Sequence, residues 1–369
     1  MSRTLTWLAC AFGLGAASAC TASKADDDDI VPTPVVDAPC PPTGCQPTCS
    51  NTQTDPANCG WCGHDCGGAS CTDGVCAPTV LATMNGGIVA TYLDLASGFL
   101  YWTNHPSQCG AGGGTCDGLM KCRTTGCAMS PEQFGTFQSP YFLDVEGGAA
   151  VVGRTGGGII YRCSTDGCGT TPATPAMPAT LQNLVADANR MAWVDLTTVR
   201  SCPNSDAACP TPTTISTVPS GQQYREGLAV ADGTVFFATS STIYAAPIDG
   251  SAPARVVVGG LASIFGLTTD GVDVYYGAAG EVGRCAVGGC ASATILATPP
   301  TVARQVAVDA KHVYIRTDNG NASTIERCPK AGCVAAGDRQ VLVIDRIVDF
   351  AIDDSAVYYT RGSVLKVRK

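Results

Sequence analysis

Residues 305–315 read QVAVDAKHVYI, two short segments of alternating apolar residues on either side of a polar centre. Alternation with a period of two predicts half-buried β-strands, and Asp309 to His312 have the composition of a turn. The stretch therefore predicts a β-hairpin. Equivalent stretches of the same length begin at six other positions: Tyr92, Phe142, Asn183, Gly227, Gly266 and Asp349.

The seven stretches agree at the positions that a hairpin buries. Their second position is always apolar: Leu93, Leu143, Leu184, Leu228, Leu267, Val306 and Phe350. Their last position is also apolar: Trp102, Val152, Trp193, Phe237, Tyr276, Ile315 and Tyr359. A repeat of about 40 residues that contains only strands is typical of β-propeller blades.

Each hairpin is followed by a third and a fourth strand-like segment, such as 323–327 and 294–298. The seventh repeat ends after its third segment, 364–367, where the sequence stops. Residues 79–83 precede the first hairpin and have the fourth-strand pattern. We therefore predict an all-β fold, a seven-bladed β-propeller over residues 78–369, in which this N-terminal strand completes the last of the four-stranded blades.

Cysteine pairs recur between the third and fourth segments of the blades. In the fourth repeat both positions change together, to Ala246 and Ser251, as expected for bonded pairs rather than for independent metal ligands. One further pair brackets a glycine-rich insertion in the first blade. The predicted disulfides are Cys109–Cys116, Cys122–Cys127, Cys163–Cys168, Cys202–Cys209, Cys285–Cys290 and Cys328–Cys333.

Residues 40–77 form a predicted small disulfide-rich module, because eight cysteines stand among few large apolar side chains. Cys59, Cys62, His64 and Cys66 leave zinc binding as an alternative. The run from Thr54 through Cys66, with the later cysteines, resembles the motif of stigma-specific-protein-like domains. That resemblance implies an extracellular module without catalytic residues.

The N-terminus predicts export. Residues 1–19 have the basic start, apolar centre and small final residues of a signal peptide. The sequence Ala17-Ser18-Ala19-Cys20 resembles the lipobox of bacterial lipoproteins, which implies lipidation of Cys20. Thr21 after it implies the outer membrane or cell surface; cleavage near Ala19 and secretion is the alternative. Residues 20–39 are a predicted flexible tether.

The composition limits the possible partners. Of 369 residues only 14% are charged, the net charge is −9, and there are 22 Cys. The negative charge disfavours nucleic acid, and the cysteine content favours an oxidising compartment. We expect no cofactor, contact with the membrane only through the lipid, and a protein or glycan partner at the cell surface.

The repeats resemble bacterial relatives of YWTD and NHL propellers, with Leu100 to Asn104 the nearest local match. The resemblance implies a binding or structural scaffold, and we identify no catalytic residues. Asp94 and Asp144 occupy the third position of adjacent hairpins, where other repeats have small or apolar residues and one Thr. They resemble part of the channel metal site of lactonase-type propellers, so a metal-dependent propeller hydrolase is the alternative.

A binding surface is expected where loops enter the first strand of each blade and connect the second strand to the third. This surface lies opposite the cysteine-tipped turns. Aromatic and Arg side chains on it suit a macromolecular partner. The candidate residues are His105, Tyr141, Tyr224, Arg225, Arg304 and Arg346.

Overall fold

The computed structural model describes residues 51–369 except 84–88, 106–117, 128–129, 138–139, 155–157, 169–172, 196, 219–223 and 321. The signal peptide, Cys20, the tether and the Cys109–Cys116 pair lie outside the described residues. The described chain forms seven four-stranded antiparallel sheets and one two-stranded sheet. The predicted all-β, seven-bladed propeller is confirmed. Among the described residues, no helix is long and apolar enough to cross a membrane.

Every blade runs from an inner strand at the axis to an outer strand at the rim. From inner to outer, the strands of blade one are Val89–Ala96, Phe99–His105, Gly118–Arg123 and Glu132–Thr136. Those of blade two are Pro140–Glu146, Ala149–Arg154, Ile159–Ser164 and Ala173–Ala176. Those of blade three are Asn183–Ala186, Arg190–Asp195, Thr198–Pro203 and Thr213–Thr217. The strands of blade four are Tyr224–Ala231, Thr234–Thr239, Thr242–Pro247 and Arg255–Gly259. Those of blade five are Ile264–Thr269, Asp273–Ala278, Val282–Ala286 and Thr294–Ala297. Those of blade six are Val302–Val308, His312–Asp318, Ser323–Pro329 and Gln340–Asp345. A short 3₁₀ turn, Ala336–Asp338, precedes the last of these.

Blade seven is built from both ends of the described chain. Phe350–Ile352, Ala356–Thr360 and Val364–Arg368 supply its first three strands, and Thr79–Ala82 is its outer strand. Thr79 lies opposite Lys366 in an antiparallel pair. The prediction that an N-terminal strand completes the last blade is confirmed, and the ring is closed by hydrogen bonds between distant parts of the sequence.

The second strand of each blade lies deepest between neighbouring sheets. The residues at the last position of the seven predicted hairpins are at most 1% exposed: Trp102, Val152, Trp193, Phe237, Tyr276, Ile315 and Tyr359. The hairpin alignment therefore matches the packing, because the apolar position that recurs in sequence is the position that the blades bury.

Antiparallel order gives the propeller two distinct faces. We call the entry face the side that carries the connections into the inner strands and from second to third strands. We call the disulfide face the opposite side, with the first-to-second and third-to-fourth turns. Five of the predicted pairs form disulfides at these latter turns: Cys122–Cys127, Cys163–Cys168, Cys202–Cys209, Cys285–Cys290 and Cys328–Cys333.

Recurring aspartates shape the first turn of several blades on the disulfide face. Oδ1 of Asp309 accepts the backbone N–H groups of Lys311 and His312, both at 2.8 Å, and its Oδ2 accepts the Tyr314 hydroxyl. Asp353 repeats this arrangement with Tyr358. These carboxylates therefore stabilise the turns by accepting hydrogen bonds from backbone N–H groups of the same turn, as turn-forming Asp residues commonly do.

Residues 51–77, the described part of the cysteine-rich module and here called the cysteine-rich segment, pack on blades six and seven. Cys59 is bonded to Cys71 and Cys66 to Cys76, so these sulfurs form disulfides instead of the alternative zinc site. Arg368, at the end of blade seven, forms an ion pair with Asp65 at 2.8 Å. The segment therefore covers the blade in which the ring closes.

Candidate functional site

A cavity of about 760 Å³ lies at the centre of the ring. Every blade contributes at least one residue to it, from Leu93 in blade one to Phe350 in blade seven. Concave sites of several hundred Å³ are typical of ligand-binding proteins. The inner strands determine which side chains meet there, because they lie closest to the axis.

Asp94 and Asp144 both line this cavity, on the inner strands of adjacent blades as their shared repeat position predicts. Oδ2 of Asp94 accepts the backbone N–H of Val145 in blade two at 2.6 Å. Oδ2 of Asp144 accepts the N–H of Ala186 in blade three at 2.7 Å. Each carboxylate therefore links its own blade to the next.

Asp349 makes the same link between blades seven and one. Its Oδ2 accepts the N–H of Leu93 at 2.8 Å, and its Oδ1 accepts the N–H of Phe350 at 2.8 Å. The alignment of the seven hairpins did not single out Asp349, because it stands at the first hairpin position, whereas Asp94 and Asp144 stand at the third. A charged residue directly before an inner strand is the signal that identifies it.

Burial changes the acidity of these three carboxyl groups. It raises the pKa of Asp94 well above the usual value, and the nearby charge of Asp144 raises it further. Burial also raises the pKa of Asp144. It raises the pKa of Asp349 to about 6, although hydrogen bonds and the charge of Arg316 act in the opposite direction. Desolvation therefore outweighs the favourable contacts in all three cases.

The two candidate metal ligands do not assemble with a third within the described part of the chain. There, the side chains able to offer three ligand atoms within 4.8 Å of one another are Cys59, Cys66 and Cys76, which are already in disulfides. The oxygens of Asp94 and Asp144 instead accept backbone amides. Their observed chemistry is hydrogen bonding between blades.

One wall of the cavity carries arginines, at its opening on the entry face. The Arg304 guanidinium lies 4.6 Å from the centre of the Phe265 ring. Its Nε is 3.7 Å from Oδ2 of Asp318, the same oxygen that Arg316 approaches to 3.2 Å. Arg316 also donates hydrogen bonds to Gln305 and Val348. Of these two arginines, only Arg304 was among the binding residues predicted from the sequence.

Across the ring, blades one and two form an aromatic wall. The rings of Tyr92 and Tyr141 are 4.9 Å apart, and those of Tyr92 and Phe142 are 5.5 Å apart. All three residues line the cavity. Its entry-face opening thus has an aromatic side and a charged side, which gives a ligand both apolar contact and hydrogen-bonding groups.

The structure separates the predicted binding residues into groups. Tyr141 and Arg304 line the cavity, and Arg346 is exposed on the connection into blade seven. His105 and Arg225 lie in strands, but their side chains are outside the described residues.

The placement of Tyr224 on the binding face is wrong. Its side chain is 4% exposed and packs edge-on against Phe237, and its hydroxyl donates to Ser216. A bulge between Tyr224 and Leu228 extends the inner strand of blade four through residues expected to be a loop. Tyr224 is therefore a core residue.

The sequence matches no protein family model and none of the curated proteins. Its fold is similar to solved propellers of low sequence identity. The structure of U3-55K is 12% identical, with a TM-score of 0.57 over 79% of this chain and 98% of that one. YCF48 from Cyanidioschyzon merolae is 11% identical, with a TM-score of 0.57 over 79% and 99%. The WD40 repeats of RRP9 are 12% identical, with a TM-score of 0.55 over 79% and 97%. These similarities establish the fold alone.

Proposed function

We propose that this protein is an exported cell-surface scaffold whose propeller binds a partner without catalysis, through the entry face. The observation that carries the proposal is the central cavity, whose entry-face opening combines the Tyr92 and Tyr141 rings with Arg304. The opposite face is built from tight turns, five of them closed by disulfides. The entry face is therefore the side on which aromatic and cationic side chains meet at the mouth of the central cavity.

A binding function also agrees with the contacts of the buried acids. Asp94 and Asp144 each bind the backbone of the neighbouring blade, which is a structural use of a carboxylate. Metal analysis of the purified protein tests the alternative hydrolase. We expect no stoichiometric ion, whereas an ion that is lost in Asp94→Ala would favour the enzyme.

Export and lipid anchoring at Cys20 belong to the same proposal. The many disulfides indicate an oxidising compartment, and the signal-like N-terminus supports delivery to it. Mass spectrometry of the mature N-terminal peptide tests the anchor. We expect diacylglyceryl-modified Cys20 at the N-terminus, and an unmodified N-terminus near Ala19 would leave a secreted scaffold.

The binding face is tested by partner capture with substitutions on each of the two faces. The entry-face variant combines Tyr141→Ala with Arg346→Glu, and the control, Asp166→Lys, reverses an exposed charge on a turn of the disulfide face. We expect capture from cross-linked envelope fractions to fall at least ten-fold in the first variant alone. Loss in the control with full capture by the entry-face variant would overturn the assignment.

A further inference from the structure

The cavity has a chemical selectivity that goes beyond a general binding face. We propose that its entry-face opening binds a neutral saccharide, with Arg304 and Asp318 holding adjacent hydroxyl groups and the Tyr92–Tyr141 wall contacting the sugar ring. This inference rests on the proposed binding function of the entry face, and it names the ligand class.

Arg304 is the most available cation of the cavity. Its side chain is 40% exposed, one face of the guanidinium lies on Phe265, and its nearest carboxylate oxygen is 3.7 Å away. Within the described part of the protein it donates no hydrogen bond to another residue. A guanidinium has five N–H donors, so Arg304 keeps donors for a ligand while its position is fixed by stacking.

Asp318 supplies acceptors directly beside those donors. Its Oδ2 lies 3.2 Å from the Arg316 guanidinium, and its Oδ1 accepts a hydrogen bond from the Ser323 hydroxyl. The Asp318 side chain is still 27% exposed. A carboxylate has about four lone-pair sites, so these contacts leave accepting capacity. Two neighbouring sugar hydroxyls each offer a donor and an acceptor, and they match a guanidinium and a carboxylate placed side by side.

The charges at the entry-face opening select against acidic ligands. The ionisable side chains that line the cavity are two arginines and four aspartates: Arg304, Arg316, Asp94, Asp144, Asp318 and Asp349. Asp318 lies 3.7 Å from Arg304 and 3.2 Å from Arg316, so a carboxylated sugar that approaches either arginine meets the carboxylate of Asp318. The opening on the disulfide face carries further acids, with Glu146, Asp187 and Asp270 among its lining residues.

The opposite wall offers what a neutral sugar ring requires. The rings of Tyr92 and Tyr141, 4.9 Å apart, both line the cavity and provide aromatic contact for the C–H face of a pyranose. Gln182, which precedes the inner strand of blade three, also lines the cavity, and its side-chain oxygen is buried and accepts no hydrogen bond from any described residue. An unsatisfied buried acceptor destabilises the folded state, and a hydroxyl donor that enters this end of the cavity removes that penalty.

The test uses the full mature chain on an array of immobilised neutral oligosaccharides, uronic-acid oligosaccharides and acidic peptides. We expect binding to neutral oligosaccharides, with uronic-acid oligosaccharides of equal length at least ten-fold weaker. Arg304→Gln should weaken the neutral signal at least ten-fold. Arg361→Gln is the matched control, because Arg361 is an exposed, ion-paired arginine on the same face but outside the cavity lining.

Three outcomes would overturn the saccharide assignment: no saccharide bound, preference for uronic acids or peptides, or equal binding by Arg304→Gln. Asp318→Asn provides a second variant, and thermal unfolding of both confirms that they are folded. If the array is blank while the entry-face variant still loses its captured partner, the saccharide proposal fails and the scaffold proposal stands. If capture is also unaffected by the entry-face changes, both fail.

Discussion

Inner strands meet in different ways in two parts of the ring. Between blades seven, one, two and three, the side chains of Asp349, Asp94 and Asp144 span each junction and accept an N–H from the next inner strand. We call these three junctions the carboxylate arc. Between blades four, five and six, Gly227 and Gly266 bring neighbouring strands into direct contact. We call these two junctions the glycine arc.

The difference shows two solutions to one problem. The inner edge of each blade presents backbone groups that no further strand pairs, and buried N–H groups require acceptors. In the carboxylate arc, side chains supply the acceptors and hold the backbones apart. In the glycine arc, the absent side chain lets the next strand pack closely: Gly266 faces the backbone of Arg304 and Gln305, and Gly227 faces the Leu267 and Ile264 side chains. Blade seven, in which the ring closes, contacts blade one through a junction of the carboxylate arc.

The largest expected effect comes from filling the glycine arc. A Cβ on Gly266 would lie 2.9 Å from both the Arg304 carbonyl oxygen and the Gln305 Cα, so backbone must move. We expect Gly266→Val to cost about 3 kcal/mol of unfolding free energy, measured by denaturant titration. Gly288→Val is the control, since nothing lies within 4 Å of a Cβ there. Similar losses in both variants would contradict the close-contact account.

The next effect is the pH dependence of the carboxylate arc. The pKa of Asp349 is about 6 in the folded state, against an ordinary value of 3.8. Between these values the folded state binds more protons than the unfolded state at Asp349, so the stabilisation that this residue contributes is greatest below pH 4 and is lost as pH rises through about 6. We expect this residue to contribute a loss on the order of 2 kcal/mol between pH 4 and pH 7.

Asp349→Asn should remove that part of the slope in unfolding titrations at several pH values. Asp353→Asn is the contrasting control. Burial acts to raise the pKa of Asp353, but hydrogen bonds from Tyr358 and the backbone lower it overall. Its replacement should therefore cost stability at neutral pH and leave the slope between pH 4 and pH 7 intact. A slope unchanged in Asp349→Asn would contradict the assignment.

Loss of a buried hydroxyl at the junction of blades seven and one should have a smaller effect on stability. Thr360 in blade seven is 0% exposed and donates to the Thr91 carbonyl of blade one at 2.8 Å. We expect Thr360→Val to cost about 1–2 kcal/mol in thermal unfolding, because the isosteric change leaves a buried acceptor unpaired. Thr239 is equally buried but donates within its own blade at 3.4 Å. Thr239→Val should cost less, and the reverse order would refute a special role for the junction.

The smallest expected effect concerns the cysteine-rich segment beside this junction. The Arg368–Asp65 ion pair is 2.8 Å long, with both side chains more than half exposed. Surface pairs of this kind contribute about 0.5 kcal/mol or less. Arg368→Ala should therefore leave the melting temperature nearly unchanged. A large decrease would mean that the segment contributes substantially to the stability of blade seven, contrary to this expectation.

Repetition made much of this molecule predictable from its sequence. The apolar hairpin positions gave the blades, and the paired cysteines gave five turn crosslinks, because each recurs at equivalent positions. The closing strand followed from matching residues 79–83 to the fourth-strand pattern. These features depend on local pattern, which a single sequence contains.

Contacts between blades were less predictable. A bulge places the Tyr224 side chain in the core, but no sequence pattern marks the bulge or distinguishes Tyr224 from a loop residue. The sequence placed Asp94 and Asp144 at the axis, but their backbone partners depend on the distance between blades. Asp349 and Arg316 join the cavity only through the three-dimensional arrangement of the ring.

Site-specific photo-crosslinking in intact cells tests the binding face most directly. A photoreactive residue replaces Arg346 on the entry face or, in a separate variant, Asp166 on the disulfide face, and adducts of the full chain are identified after irradiation. The entry-face position should give a discrete adduct and the disulfide-face position none. Adducts from position 166 alone would contradict the account.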